Sequence, residues 1–127
     1  MTSVSQTKDI LSIVEQDGVI IVRFTRSRIF DVETAEALDA EFRRVIPGKA
    51  DGCWIIDFSG LELIISRVVN SLLIALRLIR DGKGQIYLCN MNETIDRVIR
   101  LARLDRVFKT FPTLETALAA AKSTPSS

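Results

Sequence analysis

The chain has no histidine among its 127 residues, so carboxylates, hydroxyls and two thiols are the side chains left for chemistry. That absence removes the commonest general base, the usual catalytic triads and most zinc sites. Gly82-Lys83-Gly84 lacks the Gly-x-x-x-x-Gly-Lys-[Ser/Thr] frame, and no Gly-x-Gly-x-x-Gly follows a strand-like run, so no nucleotide cradle is visible. No enzyme, cofactor or metal centre is expected. The informative hydroxyl is Ser66, which stands at the head of an apolar helical stretch, where it can accept from a first-turn backbone N–H as an N-cap. Two carboxylates have similar local readings: Asp31 as the N-cap of an earlier helix, and Asp57 as an acceptor for amides in its own loop.

The elements around Ser66 follow from hydrophobic spacing. Trp54-Ile55-Ile56 is an apolar run suited to a buried strand, and Asp57-Phe58-Ser59-Gly60 breaks it with turn-forming residues. Ile65, Val69, Leu72, Leu76 and Ile79 then recur at helical spacing. Core strand, loop and helix therefore meet at one serine, and function is expected there.

Upstream, Ile10 to Val14 reads as an edge strand, Asp17-Gly18 as a hairpin turn, and Val19 to Phe24 as the returning strand, covered on both faces. Thr25 to Ile29 is expected to be a loop carrying Arg26 and Arg28. A first helix follows Asp31, with Ala35, Leu38, Phe42 and Val45 as its stripe, and Pro47-Gly48 ends it. Downstream, Gln85 to Asn90 is a buried strand and Asn92 caps a third helix with Ile95, Val98, Ile99 and Ala102 inward. Glu93 with Arg97 and Asp96 with Arg100 are spaced to pair on its exposed face. Val107-Phe108 adds a short strand, and Thr113 to Ala121 a last helix. The expectation is an α/β fold: a mixed, mostly parallel sheet of four to five strands, about four helices and an N-terminal β-hairpin. We expect a flexible arm over 1–9, one domain over 10–121 and a polar tail over 122–127.

Composition limits the partners. With 17 basic and 16 acidic residues the field is nearly neutral, which disfavours nucleic acid and anionic membranes. The basic third helix, with Arg97, Arg100, Arg103 and nearby Arg106, also carries acids and lacks interleaved aromatics, so it reads as a solvated face. No apolar run approaches the ~20 residues of a membrane span, and the first residues show no secretion signal. Cys53 and Cys89 form no CxxC pair and read as small buried thiols in a reducing compartment. A cytoplasmic domain, monomeric or weakly dimeric, is expected.

Four segments in order carry a resemblance: Phe30-Asp31, Asp57-Phe58-Ser59-Gly60, Gly82 to Leu88, and Leu101 to Phe108. Together they make the chain, from about Ile10 to Ala120, resemble the STAS domain of bacterial anti-sigma factor antagonists. Such a protein binds an anti-sigma factor, often a serine kinase, and so releases a sigma factor. The resemblance implies that Ser66 is the phosphorylated serine that breaks this complex, with a phosphatase restoring it. It also implies a partner-facing surface near Ser66, for which Asp31, Ser59, Ile64, Ile65, Arg67 and Asn70 are the candidates. Ser59 is the rival phosphoacceptor. The family's usual Asp-Ser-[Ser/Thr]-Gly is here Ile65-Ser66-Arg67-Val68. That departure keeps an alternative open, in which the chain is a structural STAS subunit of a signalling or transporter assembly and is never phosphorylated.

Overall fold

A computed structural model describes residues 9–123. Most of the expected arm and tail lies outside the described residues.

The two N-terminal strands, β1 (Leu11–Gln16) and β2 (Val19–Phe24), pair antiparallel. Asp17 and Gly18 both adopt positive φ, the two-residue turn whose twist matches that of the strands it joins. Next come β3 (Arg28–Ile29), α1 (Val32–Val45), β4 (Cys53–Asp57), β5 (Leu63–Ile64) and α2 (Arg67–Asp81). The chain continues through β6 (Gln85–Cys89), α3 (Glu93–Leu101), β7 (Lys109–Phe111) and α4 (Leu114–Ser123). The main sheet has the order β1-β2-β4-β6-β7, with every pair parallel except β1 with β2. This is the mixed, mostly parallel sheet with four helices that the sequence leads one to expect.

Both faces of the sheet are covered, which is why β2, β4 and β6 read as continuous apolar runs. Ile20, Val22, Trp54, Ile56, Ile86 and Leu88 pack against α1, α2 and α3 in the larger core. Val19, Ile21, Ile55, Tyr87 and Cys89 face the other way, onto Ala117 and Leu118 of α4. Cys53 and Cys89 are free thiols, and burial, with Asp57 nearby, pushes Cys89 up to about 12.

The structure corrects several sequence expectations. The last strand is not Val107-Phe108: Leu104–Arg106 forms a 3-10 turn, Phe108 is buried, and pairing starts at Lys109. Ala102 lies past the end of α3 and is exposed, so Ile95 and Ile99 alone are the fully buried residues of that helix. In α2 the inward stripe is Val68, Leu72, Ala75, Leu76 and Ile79, while Ile65 and Val69 are only partly buried. Lys122 and Ser123 extend α4 into the expected tail.

The expected loop Thr25 to Ile29 and the unassigned stretch Leu61 to Ile64 hold the most consequential difference. They form a second, two-stranded parallel sheet, β3 with β5, in which Arg28 faces Leu63 and Ile29 faces Ile64. Strands of two residues are too short to show a period of two, so no local pattern announces them.

Candidate functional site

The small β3–β5 sheet positions the site. Its ladder continues as the Ile65 N–H donates to the Ile29 carbonyl at 3.0 Å. The next residues on each strand begin helices: Asp31 caps α1, and Ser66 stands at the N-cap of α2. Parallel pairing thus sets two helix N-termini side by side, and α1 and α2 pack along their lengths.

Asp31 behaves as expected. In an extended backbone it accepts from the Thr34 amide at 2.9 Å and from the Thr34 hydroxyl at 2.7 Å. Those two hydrogen bonds hold its carboxyl below the ordinary value.

Ser66 does not cap its helix. Its backbone is already helical, with φ −60° and ψ −23°, and its side chain makes no capping hydrogen bond. An N-cap side chain reaches the first-turn amides from an extended backbone, which Ser66 does not have. The turn closes instead through the main chain, as Val68 N–H donates to the Ile65 carbonyl at 2.9 Å and Val69 N–H to the Ser66 carbonyl at 3.0 Å. Ser66 is exposed, and the first turn of its 15-residue helix carries no acidic residue. An uncommitted hydroxyl therefore sits at the uncompensated positive end of a helix, where added negative charge is favourable.

The other expected surface residues divide. Asn70 is exposed on α2 and Ile65 half-buried beside Ser66. Ile64 is not available to a partner, because in β5 its side chain turns into the core and is 4% exposed. Arg67 is not a solvated residue either: its guanidinium turns onto α1 and donates to Asp39 at 2.6 Å. Ser59 is exposed at the end of β4, in a turn of its own. Its amide donates to Asp57 at 3.0 Å. Asp57 is the loop-ordering carboxylate expected, and it also accepts from Asn90 at 2.9 Å and Arg23 at 2.9 Å. Burial raises its pKa, yet the bonds from Asn90, Ser59 and Arg23 outweigh that and hold it below the ordinary value.

Three apolar residues near Ser66 in the β3–β5 register or the chain are missing from the surface expected from the sequence. Phe30 is 63% exposed, Val32 53% and Leu63 37%, among the few large apolar side chains left in solvent. Phe30 follows β3, Val32 opens α1 and Leu63 starts β5, so the β3–β5 pairing brings them to the same end of the molecule. Alternation along the short strands sends Ile29 and Ile64 inward and leaves Phe30 and Leu63 outward. Exposed large apolar side chains gathered at one end of a molecule can mark an interaction site. Phe30-Asp31 carries part of the resemblance, but nothing local marks Phe30 as exposed.

The fold is that of a STAS domain. The STAS domain family model matches residues 11–117, and the chain belongs to that family. A comparison with curated proteins found no match. An anti-sigma factor antagonist from Mycobacterium paratuberculosis is 26% identical at a TM-score of 0.77, over 89% of this chain and 93% of that one. An anti-sigma-factor antagonist (STAS) domain protein from Planctomyces limnophilus is 20% identical at 0.77, over 87% and 96%. The Bacillus cell fate determinant SpoIIAA in its phosphorylated form is 19% identical at 0.64, over 87% and 97%. Among the described residues, no helix is long and apolar enough to cross a membrane.

Proposed function

We propose that this chain is an anti-sigma factor antagonist, a cytoplasmic binding module that sequesters an anti-sigma factor kinase and is switched off by phosphorylation of Ser66. The observation that carries this reading is the exposed Ser66, its hydroxyl free of any capping bond, beside the apolar Phe30, Val32 and Leu63. The family and the antagonists that share the fold support it, as does the relative solved in a phosphorylated form.

In the unmodified state the partner covers the apolar patch and packs over the head of α2. The kinase then transfers the γ-phosphoryl group of ATP. The Ser66 oxygen forms the new bond to phosphorus as the bond to ADP breaks, and the hydroxyl proton leaves to a base of the kinase. The product carries roughly −1.5 to −2 of charge at neutral pH. At a helix N-terminus the fold tolerates that charge, whereas an apolar interface would have to desolvate it. Binding is lost while the domain stays folded, and a phosphatase resets it.

The test is a pull-down from cells of the source organism with the unmodified protein, Ser66→Ala and Ser66→Glu. Capture of a kinase-type ATPase by the first two and its loss with Ser66→Glu is the expected result. Equal capture of other STAS proteins or transporter subunits by all three would overturn the switch. It would favour the structural subunit, which the altered Ile65-Ser66-Arg67-Val68 segment also suits.

A further inference from the structure

Arg67, next in the chain to Ser66, sits in an unusual seat. Its Nη2 donates to Asp39 Oδ2 at 2.6 Å across the α1–α2 interface. Ser71, one turn further along α2, donates to the other oxygen of Asp39 and lies 3.4 Å from the Ala35 carbonyl. Asp39 is 5% exposed and Ser71 fully buried, so this polar clasp joins two helices inside the larger core. One donor group is left over: Arg67 Nη1 is buried and has no acceptor. A guanidinium offers five N–H donors, and an under-satisfied buried one is unfavourable. Arginine also matches phosphate oxygens with short, paired, charge-assisted bonds. A dianion on the adjacent residue would therefore compete with Asp39 for this side chain.

We propose that Arg67 reads the modification of Ser66: a phosphoserine at 66 draws the guanidinium off Asp39 and loosens α1 from the head of α2. The proposal rests on the reading of Ser66 as phosphoacceptor. Removing the cation leaves Asp39 buried without its partner, which is strongly unfavourable, so the α1 side of the interface must shift or admit water. Val32 belongs to α1 and Phe30 lies just before its cap. Rearrangement of the apolar patch then joins charge repulsion in expelling the partner. It also gives the arginine of Ile65-Ser66-Arg67-Val68 a role that the more usual hydroxyl residue could not fill.

Phosphoserine can be installed at position 66 by genetic encoding, which separates this proposal from the existence of a kinase. Amide spectra of the modified and unmodified proteins should differ at Ala35, Asp39 and Phe42 of α1 as well as at the first turn of α2. In Arg67→Gln the α1 shifts should vanish. Because that variant strands Asp39, the pair Asp39→Asn with Arg67→Gln provides a second background without a buried unpaired charge, and α1 should stay unmoved there too. A phosphorus titration gives an independent readout: the second ionisation of the phosphate, ordinarily about pH 6, should lie lower with Arg67 than without it. Shifts confined to α2, or α1 shifts and a phosphate pKa unchanged in either background, would overturn the coupling. Absence of Ser66 phosphorylation in cells would instead defeat the proposed function and leave this measurement standing.

Discussion

The Ile65 amide donates to the Ile29 carbonyl at 3.0 Å, and through that bond the chain aligns the heads of α1 and α2. Ile29 and Ile64 anchor the pair in the core, fully buried and 4% exposed respectively. The outward neighbours Phe30 and Leu63, with Val32, are exposed at the same end of the molecule as the exposed Ser66. A site of this kind is assembled by pairing between segments far apart in the chain.

Phe30 is the natural anchor of the patch. Because it is largely solvated, Phe30→Ala should change unfolding stability by no more than about 0.5 kcal/mol. As an interface hot spot it would be worth about 2 kcal/mol, or roughly a 30-fold weaker dissociation constant for the partner. Calorimetric titration beside a denaturant melt separates the two effects. A stable variant with undiminished affinity would remove Phe30 from the interface.

Ser66→Ala tests the missing cap. Replacing a working N-cap serine with alanine typically costs about 1 kcal/mol. Since the Ser66 side chain makes no capping bond, the measured loss should stay below about 0.5 kcal/mol. A full-sized loss in urea unfolding would show that the hydroxyl caps the helix in solution.

Asp57 predicts an acid-sensitive turn. Its carboxyl is held below its ordinary value, 3.8, so its stabilising contribution is fully present above about pH 4. That contribution is lost as the pH falls through the lowered folded value and the carboxylate takes up a proton. Asp57→Asn should destabilise the protein by about 2 kcal/mol at pH 7, since it weakens the hydrogen bonds made by a buried carboxylate and removes the charge facing Arg23. The difference between variant and parent should shrink towards pH 2. A gap that stays constant with pH would mean that the carboxylate charge contributes nothing.

Gly84 is required by close approach. A Cβ there would press into the Ala50 and Gly52 carbonyl oxygens, both backbone atoms that cannot swing aside. Gly84→Ala should therefore cost about 1–3 kcal/mol, in the range of other overpacked sites. A thermal melt of the variant checks this, and an unshifted midpoint would show that the turn between α2 and β6 yields easily.

Much of the scaffold is legible in the residues because its signals are local. Val19 to Phe24, Trp54 to Ile56 and Ile86 to Cys89 are apolar runs because both sheet faces are covered. Asp31 and Asn92 do cap α1 and α3, accepting from Thr34 and Ile95 three residues on, which is a matter of neighbouring chain alone. Asp17-Gly18 needs only its own two positive φ angles.

What the sequence by itself determined, then, is the order of the main-sheet strands and helices and the layered α/β class, with the segment around Ser66 as the candidate site. The tertiary structure alone decided how that site is composed. The β3–β5 pair spans 35 positions of chain with two residues per strand, leaving no periodicity to detect. Arginine is usually solvated, so the inward turn of Arg67 follows only from Asp39, which stands 28 positions away on another helix. Serine at a helix head usually caps, and Ser66 does not because its backbone has already entered the helix. Contacts between near neighbours are encoded by spacing and residue type, whereas these depend on which distant segments the packed core brings together.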